Sequence, residues 1–329
     1  MKVLTHKTDH LGDWVLSLPA LWELRQNFGD RLEHHLLVRP PNVEWQAILP
    51  WLGVLHAVHH PRYRRGEVDK IWRSTLDSFR TACQLRRVGF DWGIDLVSTR
   101  NDLLGKLLLK AAGCARLSGP DGAHSWLLHE RHVESPGHQT SILASRFPLA
   151  WGITGTALPQ EWMPDSLRWK GGSALLLAPF AGTPAKGWKP ERWLELYHTL
   201  VPQHEVELLV PAPDALRHQA FLSRFPPSSI RVVSSIRETL EILARARLVV
   251  VLDTAVAHYA WAVGAPFVQL FAATTESTRW APPEGGVTLE EKPSCYPCHR
   301  EVCHRLTHEC MDALTVTRVM EAVRREMAT

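Results

Sequence analysis

Asp13 closes the polar turn Thr8-Asp9-His10-Leu11-Gly12-Asp13, which separates a short apolar stretch from a longer periodic one. A carboxylate there faces the carboxyl edge of a sheet. It serves as a general base when it reaches a substrate hydroxyl, and equally it is a good N-cap for the helix that follows. The loop Phe180-Ala181-Gly182-Thr183-Pro184-Ala185-Lys186-Gly187-Trp188 offers small residues for close backbone approach, the Thr183 hydroxyl and the charge of Lys186. That combination suits a diphosphate, or a surface loop with a solvated lysine. The loop is not a Walker A motif, and no Gly-x-Gly-x-x-Gly occurs in the chain. Asp214 follows an apolar run ending near Val210. It suits hydrogen bonds from a ribose or, with Pro213 before it, the start of a helix.

The stretch from Leu248 to Pro266 organises the second half of the chain. Leu248-Val249-Val250-Val251-Leu252 is a β-branched apolar run, as expected of a strand covered on both faces. Asp253 and Thr254 are good N-cap residues, an alanine-rich helical run through His258 follows, and Gly264 and Pro266 stop it. The free amides of such a helix point beyond the carboxyl end of the strand, where open α/β sheets bind ligands and where an anion is favoured. The same pattern also serves as a plain strand–helix joint in many α/β folds.

Cys295, Cys298, Cys303 and Cys310 crowd into sixteen residues with His299, His304 and His308, while Cys83 and Cys114 stand alone. In a reducing compartment such a cluster more often binds metal than forms disulfides. Four thiolates can hold a structural zinc or iron tetrahedrally, which leaves no open coordination position. The spacing, however, is one Cys-x-x-Cys followed by two single cysteines rather than two knuckles, so the metal-free reading stands beside it. His56 and His59 fall on opposite faces of an expected strand and do not read as a metal site.

At 329 residues the chain is long enough for about two domains, and 45% apolar with 22% charged residues is ordinary for a globular protein. A net charge of +3 gives no reason to expect a nucleic-acid partner. No apolar run reaches the length of a membrane span, and the opening Met1-Lys2-Val3-Leu4-Thr5-His6-Lys7 is too short and polar for a signal peptide, so a cytosolic location is expected. The fourteen tryptophans suit cores and ligand surfaces alike and decide nothing.

Strands are expected at residues 2–7, 33–39, 55–59 and 90–97, and helices from Trp14 through Leu24 and at 69–88, 101–112 and 138–150. Pro19 is expected in a bend near the start of the first helix, at the cost of one hydrogen bond. Periodicity fails from Trp151 to Gly172, where Gly and Pro accumulate. A second alternating set has strands at 173–179, 206–210, 230–233, 248–252 and 267–271, with a capping box at Ser235-Ile236-Arg237-Glu238 and Thr315 capping the last helix. The expected architecture is α/β, with two Rossmann-like domains in series about a cleft: 1–155, a linker at 156–172, 173–314, and a last helix at 315–329.

Taken together the chain resembles glycosyltransferase family 9, the bacterial ADP-heptose:lipopolysaccharide heptosyltransferases, over nearly its whole length. The landmarks are Gly12-Asp13 with Leu18-Pro19-Ala20-Leu21, Phe90-Asp91 through Asp95-Leu96, Lys186-Gly187-Trp188 with Arg192-Trp193, and Trp280-Ala281-Pro282-Pro283 with the cysteine-rich tail. The strongest is Asp253-Thr254-Ala255-Val256-Ala257-His258, continued by Gly264-Ala265-Pro266 and Leu270-Phe271. The resemblance implies a GT-B fold and inverting transfer from a nucleotide-sugar, ADP-linked in the family, with no catalytic metal. The first domain would bind the acceptor, a lipopolysaccharide core glycan, and the second the donor. Asp13 would be the base, and Lys186 would neutralise the leaving diphosphate. Asp253 would contact the donor sugar, and Thr183, Asp214, Thr254, Ala255 and His258 would complete the donor site. The last helix would run back toward the first domain. Arg62, Arg64 and Arg65 would meet acceptor or lipid phosphates in peripheral contact with the inner membrane, or form a solvated face.

Two departures from the family pattern bear on the donor site. Ala255 stands where glycine is usual and would be strained if the backbone there needs positive φ. Ala181 and Gly182 stand where hydroxyl residues are common, with Thr183 one step later. Two other readings follow: a family relative using another nucleotide-sugar or a protein acceptor, and a non-catalytic GT-B binding protein acting through its cysteine-rich tail.

Overall fold

A computed structural model describes residues 1–59, 68–99, 101–134 and 136–328, with only the backbone for 68–72. Arg62, Arg64 and Arg65 lie outside the described residues. The chain divides into two compact units, Met1–Trp162 and Met163–Thr329.

The first unit is a six-stranded sheet of β1 (Lys2–Lys7), β2 (Glu33–Val38), β3 (Val54–Ala57), β4 (Trp92–Asp95), β5 (Arg116–Pro120) and β6 (Glu130–His132). Its strand order is β3-β2-β1-β4-β5-β6, and every pairing is parallel. The central strand β1 is buried from its second residue onward, so both its faces are covered, as a parallel sheet requires. Leu4, Leu37, Phe90, Leu109 and Leu117 form much of one core layer with Ala82 and Leu85 of the helix Val68–Leu85.

The expected first helix is two pieces, Leu11–Val15 and Leu18–Phe28. Ser17 is the N-cap of the second piece, and Pro19 lies in its first turn. A first-turn residue has no intrahelical N–H partner to lose, so the hydrogen-bond cost expected of Pro19 does not arise. Short strands β5 and β6, missed in the sequence, lie at one edge of the sheet. Among the residues expected in the third strand, His56 lies in β3 and stacks on His35 of β2, with Nε2 2.9 Å from His35 Nδ1. His59 lies beyond the strand, where its N–H donates to Ser78 Oγ at 2.9 Å.

The second unit repeats the plan with β7 (Leu175–Ala178), β8 (Val206–Pro211), β9 (Ile230–Val233), β10 (Leu248–Leu252), β11 (Phe267–Phe271) and β12 (Gly286–Glu290). The order is β12-β11-β10-β7-β8-β9, again all parallel. Every residue of β7, β10 and β11 is buried. The capping box forms as expected on one side, Glu238 N–H donating to Ser235 Oγ at 3.0 Å, while the Glu238 carboxylate reaches back one residue further, to Ser234 N–H at 2.8 Å. The helix Val316–Ala328 buries Val319, Met320 and Val323 in the core under this sheet. Among the described residues no helix is long and apolar enough to cross a membrane.

His34, on β2, is buried with Nε2 2.9 Å from Thr5 Oγ1. Burial first, with His35 and Arg25 adding like charge, pushes its pKa from 6.5 down to about 3, against a smaller upward pull from Leu52. The folded state therefore keeps His34 neutral while the unfolded chain takes up a proton near 6.5. Below that pH the unfolded state binds more protons, so this group's contribution to stability falls as pH drops from about 6.5 toward about 3. The expected slope approaches about 1.4 kcal/mol per pH unit. His34→Gln should remove it from urea-unfolding free energies measured between about pH 6.5 and 5; parallel pH curves for the two proteins would mean that His34 is charged in the fold.

Candidate active site

Each sheet winds outward from a central pair of strands. From β1 the chain builds β2 and β3 on one side, then returns to β4 on the other; from β7 it builds β8 and β9, then returns to β10. The connections leaving the carboxyl ends of such a pair diverge to opposite faces and open a crevice between them. The polar residues of both units gather there.

In the first unit the loop after β1 is tied to the loop after β4. Lys7 Nζ binds Asp9 Oδ2 at 2.7 Å and the Leu96 carbonyl at 3.0 Å, and Asp9 Oδ2 accepts from Ser98 N–H at 2.8 Å and Ser98 Oγ at 3.0 Å. Burial works to raise the pKa of Asp9, but the Lys7 ammonium and the Ser98 donors outweigh it and hold the carboxyl below its ordinary value. Beneath the loop, His6 Nδ1 lies 3.5 Å from both Asp95 Oδ1 and Asp102 Oδ2, its Nε2 is 3.1 Å from Thr8 Oγ1, and Lys106 Nζ meets Asp95 Oδ2 at 2.9 Å. Burial opposes a charge on His6, yet Asp95, Asp102 and Asp9 together raise its pKa.

The ligand atoms of His6, Asp95 and Asp102 lie within 4.8 Å of one another, a spacing a cation can use. The Lys106 ammonium already occupies Asp95, and the neighbouring carboxylates favour a protonated His6, so the donor set is charge-balanced by side chains and does not suit a metal. Asp13 is partly buried, as the third residue of the helix Leu11–Val15. The N-cap position belongs to His10, which corrects the capping reading of Asp13.

In the second unit, Lys186 from the loop after β7 and Asp253 from the end of β10 meet across the central pair, Nζ to Oδ2 2.6 Å, with side chains 28% and 7% exposed. The loop folds as a single 3-10 turn, Pro184–Lys186, with Thr183 before it. Thr254 is the N-cap of the helix Ala255–Val263 by backbone conformation, but its side chain makes no capping bond. The hydroxyls of Thr183 and Thr254, and that of Thr274 beyond β11, are sealed from solvent with no hydrogen-bond partner among the described residues. Buried polar groups normally find partners, and these hydroxyls, like several other buried groups of both units, have none among the described residues and remain able to donate to a guest. Thr274 was not anticipated; its only signal in the sequence is a hydroxyl two alanines after the apolar run Phe267–Phe271.

Ala255 is the first residue of its helix, and His299 is the only non-glycine residue with positive φ among those described, so alanine at 255 is unstrained. His258 is buried one turn into the same helix. Asp214 lies in the first turn of the helix Ala212–Arg217 after β8, with Arg217 Nη1 3.8 Å away, and thus starts a helix at the neighbouring strand edge.

Cys295, Cys298, Cys303 and Cys310 are all free thiols and line one pocket with Thr274, His304 and His308. The residue types suit zinc or iron, but no three of the sulfurs lie within 4.8 Å of one another among the described residues.

Two Rossmann-like units, each doubly wound and each with its polar groups at the central carboxyl edge, make this a GT-B fold. The chain belongs to glycosyltransferase family 9 (heptosyltransferase), whose sequence profile matches residues 79–307. Among solved structures it is similar to the E. coli heptosyltransferase WaaC with ADP (TM-score 0.76, 18% identity, 99% of this chain and 100% of that one). It is also similar to E. coli ADP-heptose LPS heptosyltransferase II (TM-score 0.75, 16% identity, 100% and 99%). A further likeness is to the iron-containing dodecameric glycosyltransferase TibC from enterotoxigenic E. coli H10407 (TM-score 0.59, 13% identity, 99% and 75%). None of the curated proteins matches the sequence.

The orphan hydroxyls yield a stability test. Replacing an unsatisfied buried hydroxyl by a methyl of similar shape relieves a desolvation penalty of about 1–3 kcal/mol, whereas removing a satisfied one costs stability. Thr254→Val is therefore expected to unfold at the same temperature as the parent protein or higher; a clear drop in the thermal midpoint would show that the hydroxyl is already bonded.

Proposed function

We propose that this protein is an inverting glycosyltransferase that moves a heptose-like sugar from an ADP-sugar to a lipopolysaccharide core acceptor. The observation that carries the reading is the Lys186–Asp253 pair at the central edge of the second sheet, with the orphan hydroxyls of Thr183 and Thr254 next in sequence or in the same turn, and the helix Ala255–Val263, whose start no side chain caps. A diphosphate supplies the acceptors these groups lack, and the sugar beyond it supplies hydroxyl donors for Asp253. The association of the WaaC structure with ADP supports an adenine nucleotide.

On this reading Asp13 takes the proton of the acceptor hydroxyl, and the freed oxygen attacks the anomeric carbon from the face opposite the nucleotide. The bond from that carbon to the diphosphate oxygen breaks, and the leaving diphosphate gains negative charge. Lys186 and the amides at Thr254 and Ala255 meet that charge where it develops. His258 holds the first turn of that helix from its buried side, and Asp214 serves the ribose from the next strand edge. Lys186 supplies the positive charge, so no step is assigned to a metal. Residues 1–155 would bind the acceptor and 173–314 the donor, joined through 156–172. The enzyme would work on the cytoplasmic side, in peripheral contact with the inner membrane, where such an acceptor is found.

Calorimetric titration with ADP, UDP and GDP tests the donor. ADP should bind preferentially, and Lys186→Ala should weaken it by roughly tenfold or more, the worth of a charged hydrogen bond. Preference for UDP or GDP would replace the ADP-heptose assignment. With the productive donor and acceptor, Asp13→Asn should lower turnover by about 10²–10⁴; intact turnover would remove Asp13 from the mechanism.

The cysteine pocket is proposed to hold a structural zinc or iron that takes no part in the transfer. Elemental analysis of the purified protein should find close to one equivalent of metal, lost together with protection of the four thiols on chelation. Metal-free protein with the same thiol reactivity before and after chelator would reject the site.

A further inference from the structure

The 3-10 turn that carries Lys186 satisfies little of its own backbone. Lys186 N–H donates to Thr183 O at 3.1 Å and Gly187 N–H to Pro184 O at 3.0 Å, but the two polar groups of Ala185 turn away from the loop. Both are taken by the cysteine-rich tail, more than a hundred residues later. Ala185 N–H donates to the Glu301 carbonyl at 2.9 Å, and the Ala185 carbonyl accepts from His308 Nε2 at 3.0 Å. Since a carbonyl only accepts, His308 carries its proton on Nε2 here. Ala185 is 2% exposed, so neither group has water as a ready substitute.

The same tail holds both flanks of the turn. Downstream, Trp188 Nε1 donates to Leu314 O at 2.7 Å, Arg192 Nη1 to Met311 O and Leu314 O at 3.0 Å each, and Lys189 pairs with Asp312 at 2.7 Å. At its other end the tail is fixed to the segment just after β11: Cys298 N–H donates to Ala273 O and His299 N–H to Thr274 O, both at 2.9 Å. His299 adopts φ 51° in doing so, a conformation a non-glycine residue holds only under constraint. The tail thus spans from the segment after β11 to the turn after β7, and it contacts the residue next to Lys186 rather than Lys186 itself.

We propose that His308 is a positioning residue for Lys186: through the Ala185 carbonyl, the cysteine-rich tail fixes where the lysine ammonium stands relative to Asp253 and the incoming diphosphate. This rests on the reading that Lys186 meets the donor diphosphate. His308 touches no reacting atom. Its effect passes through one carbonyl, so it acts only while Lys186 is present. The tail's place in the protein follows from this: it is part of the donor site's frame, and whatever orders or disorders residues 295–310 alters the grip on phosphate.

The test uses the full chain with His308→Ala, His308→Gln, Lys186→Ala and the double variant Lys186→Ala/His308→Ala, with ADP as the probe. Two readouts are taken. In hydrogen–deuterium exchange without ligand, His308→Ala should speed exchange at residues 185–187 while leaving Leu248–Leu252 protected, and His308→Gln, which keeps a side-chain N–H donor, should restore most of the protection. In ADP titration, His308→Ala should weaken binding about fivefold, the worth of one ordinary hydrogen bond. That loss should vanish in the Lys186→Ala background, because coupled residues are not additive. Unchanged exchange at 185–187 in folded His308→Ala, or ADP losses that simply multiply in the double variant, would overturn the proposal. If the parent protein binds no ADP, the donor reading fails by itself, and the exchange measurement still decides whether His308 holds the turn.

Discussion

The strand order of a parallel sheet is the constraint on which the site depends. A parallel strand cannot be followed at once by its neighbour; the chain must cross a face of the sheet first, and it crosses in one hand. When the direction of building reverses, two adjacent strands send their connections to opposite faces. Neither connection covers the gap, and the groups there have only each other for partners. In the first unit that gap is bridged by Lys7, Asp9 and Ser98. In the second it is spanned by a single ion pair with unused hydroxyls around it. The two sheets are built alike and finished differently: one gap is bridged by a chain of side-chain hydrogen bonds, the other by one ion pair.

The contrast explains the distribution of buried charge. His6, Lys7, Asp9, Asp95 and Lys106 are almost wholly buried in the first unit, an arrangement that is costly for any charge left alone. Opposite charges stand next to one another here, and the loop that leads from Lys7 to the helix of Asp13 contains Asp9. A rigid base for that loop is a reasonable return on so much desolvation. Gly105 shows how tight the arrangement is, since a methyl group there would fall 2.2 Å from His6 Nδ1 and 2.5 Å from Asp102 Oδ2.

Much of this was legible in the sequence, for identifiable reasons. Leu248–Leu252 and Phe267–Phe271 are bounded in the structure as their apolar runs suggest, because burial on both faces leaves no polar residue to blur the ends. Arg116–Pro120, Glu130–His132 and Gly286–Glu290 were missed: the first is buried but carries serine, glycine and proline in place of β-branched residues, and the other two are edge strands with charged residues and partial burial. Lys186 and Asp253 were legible as residue types after two strands, but their 2.6 Å contact needed β7 and β10 to be neighbours, which only the strand order supplies. The contact of His308 with Ala185 had no local pattern at all, since a side chain reaching a distant main-chain carbonyl selects for neither periodicity nor spacing. The buried charges of β1 hid for another reason: in a strand covered on both faces, alternation no longer separates inside from outside.

The Lys186–Asp253 contact also bears on turnover. With no guest, lysine and aspartate neutralise each other. On the proposed reading a nucleotide-sugar breaks that pair but offers a replacement to both members, phosphate oxygens to the lysine and sugar hydroxyls to the aspartate. Once the sugar has moved to the acceptor, the remaining nucleotide diphosphate still engages the lysine but leaves the carboxylate facing an anion with nothing to bind. On that reading the resting pair would compete directly with the spent nucleotide, and the site would carry its own means of ejecting product.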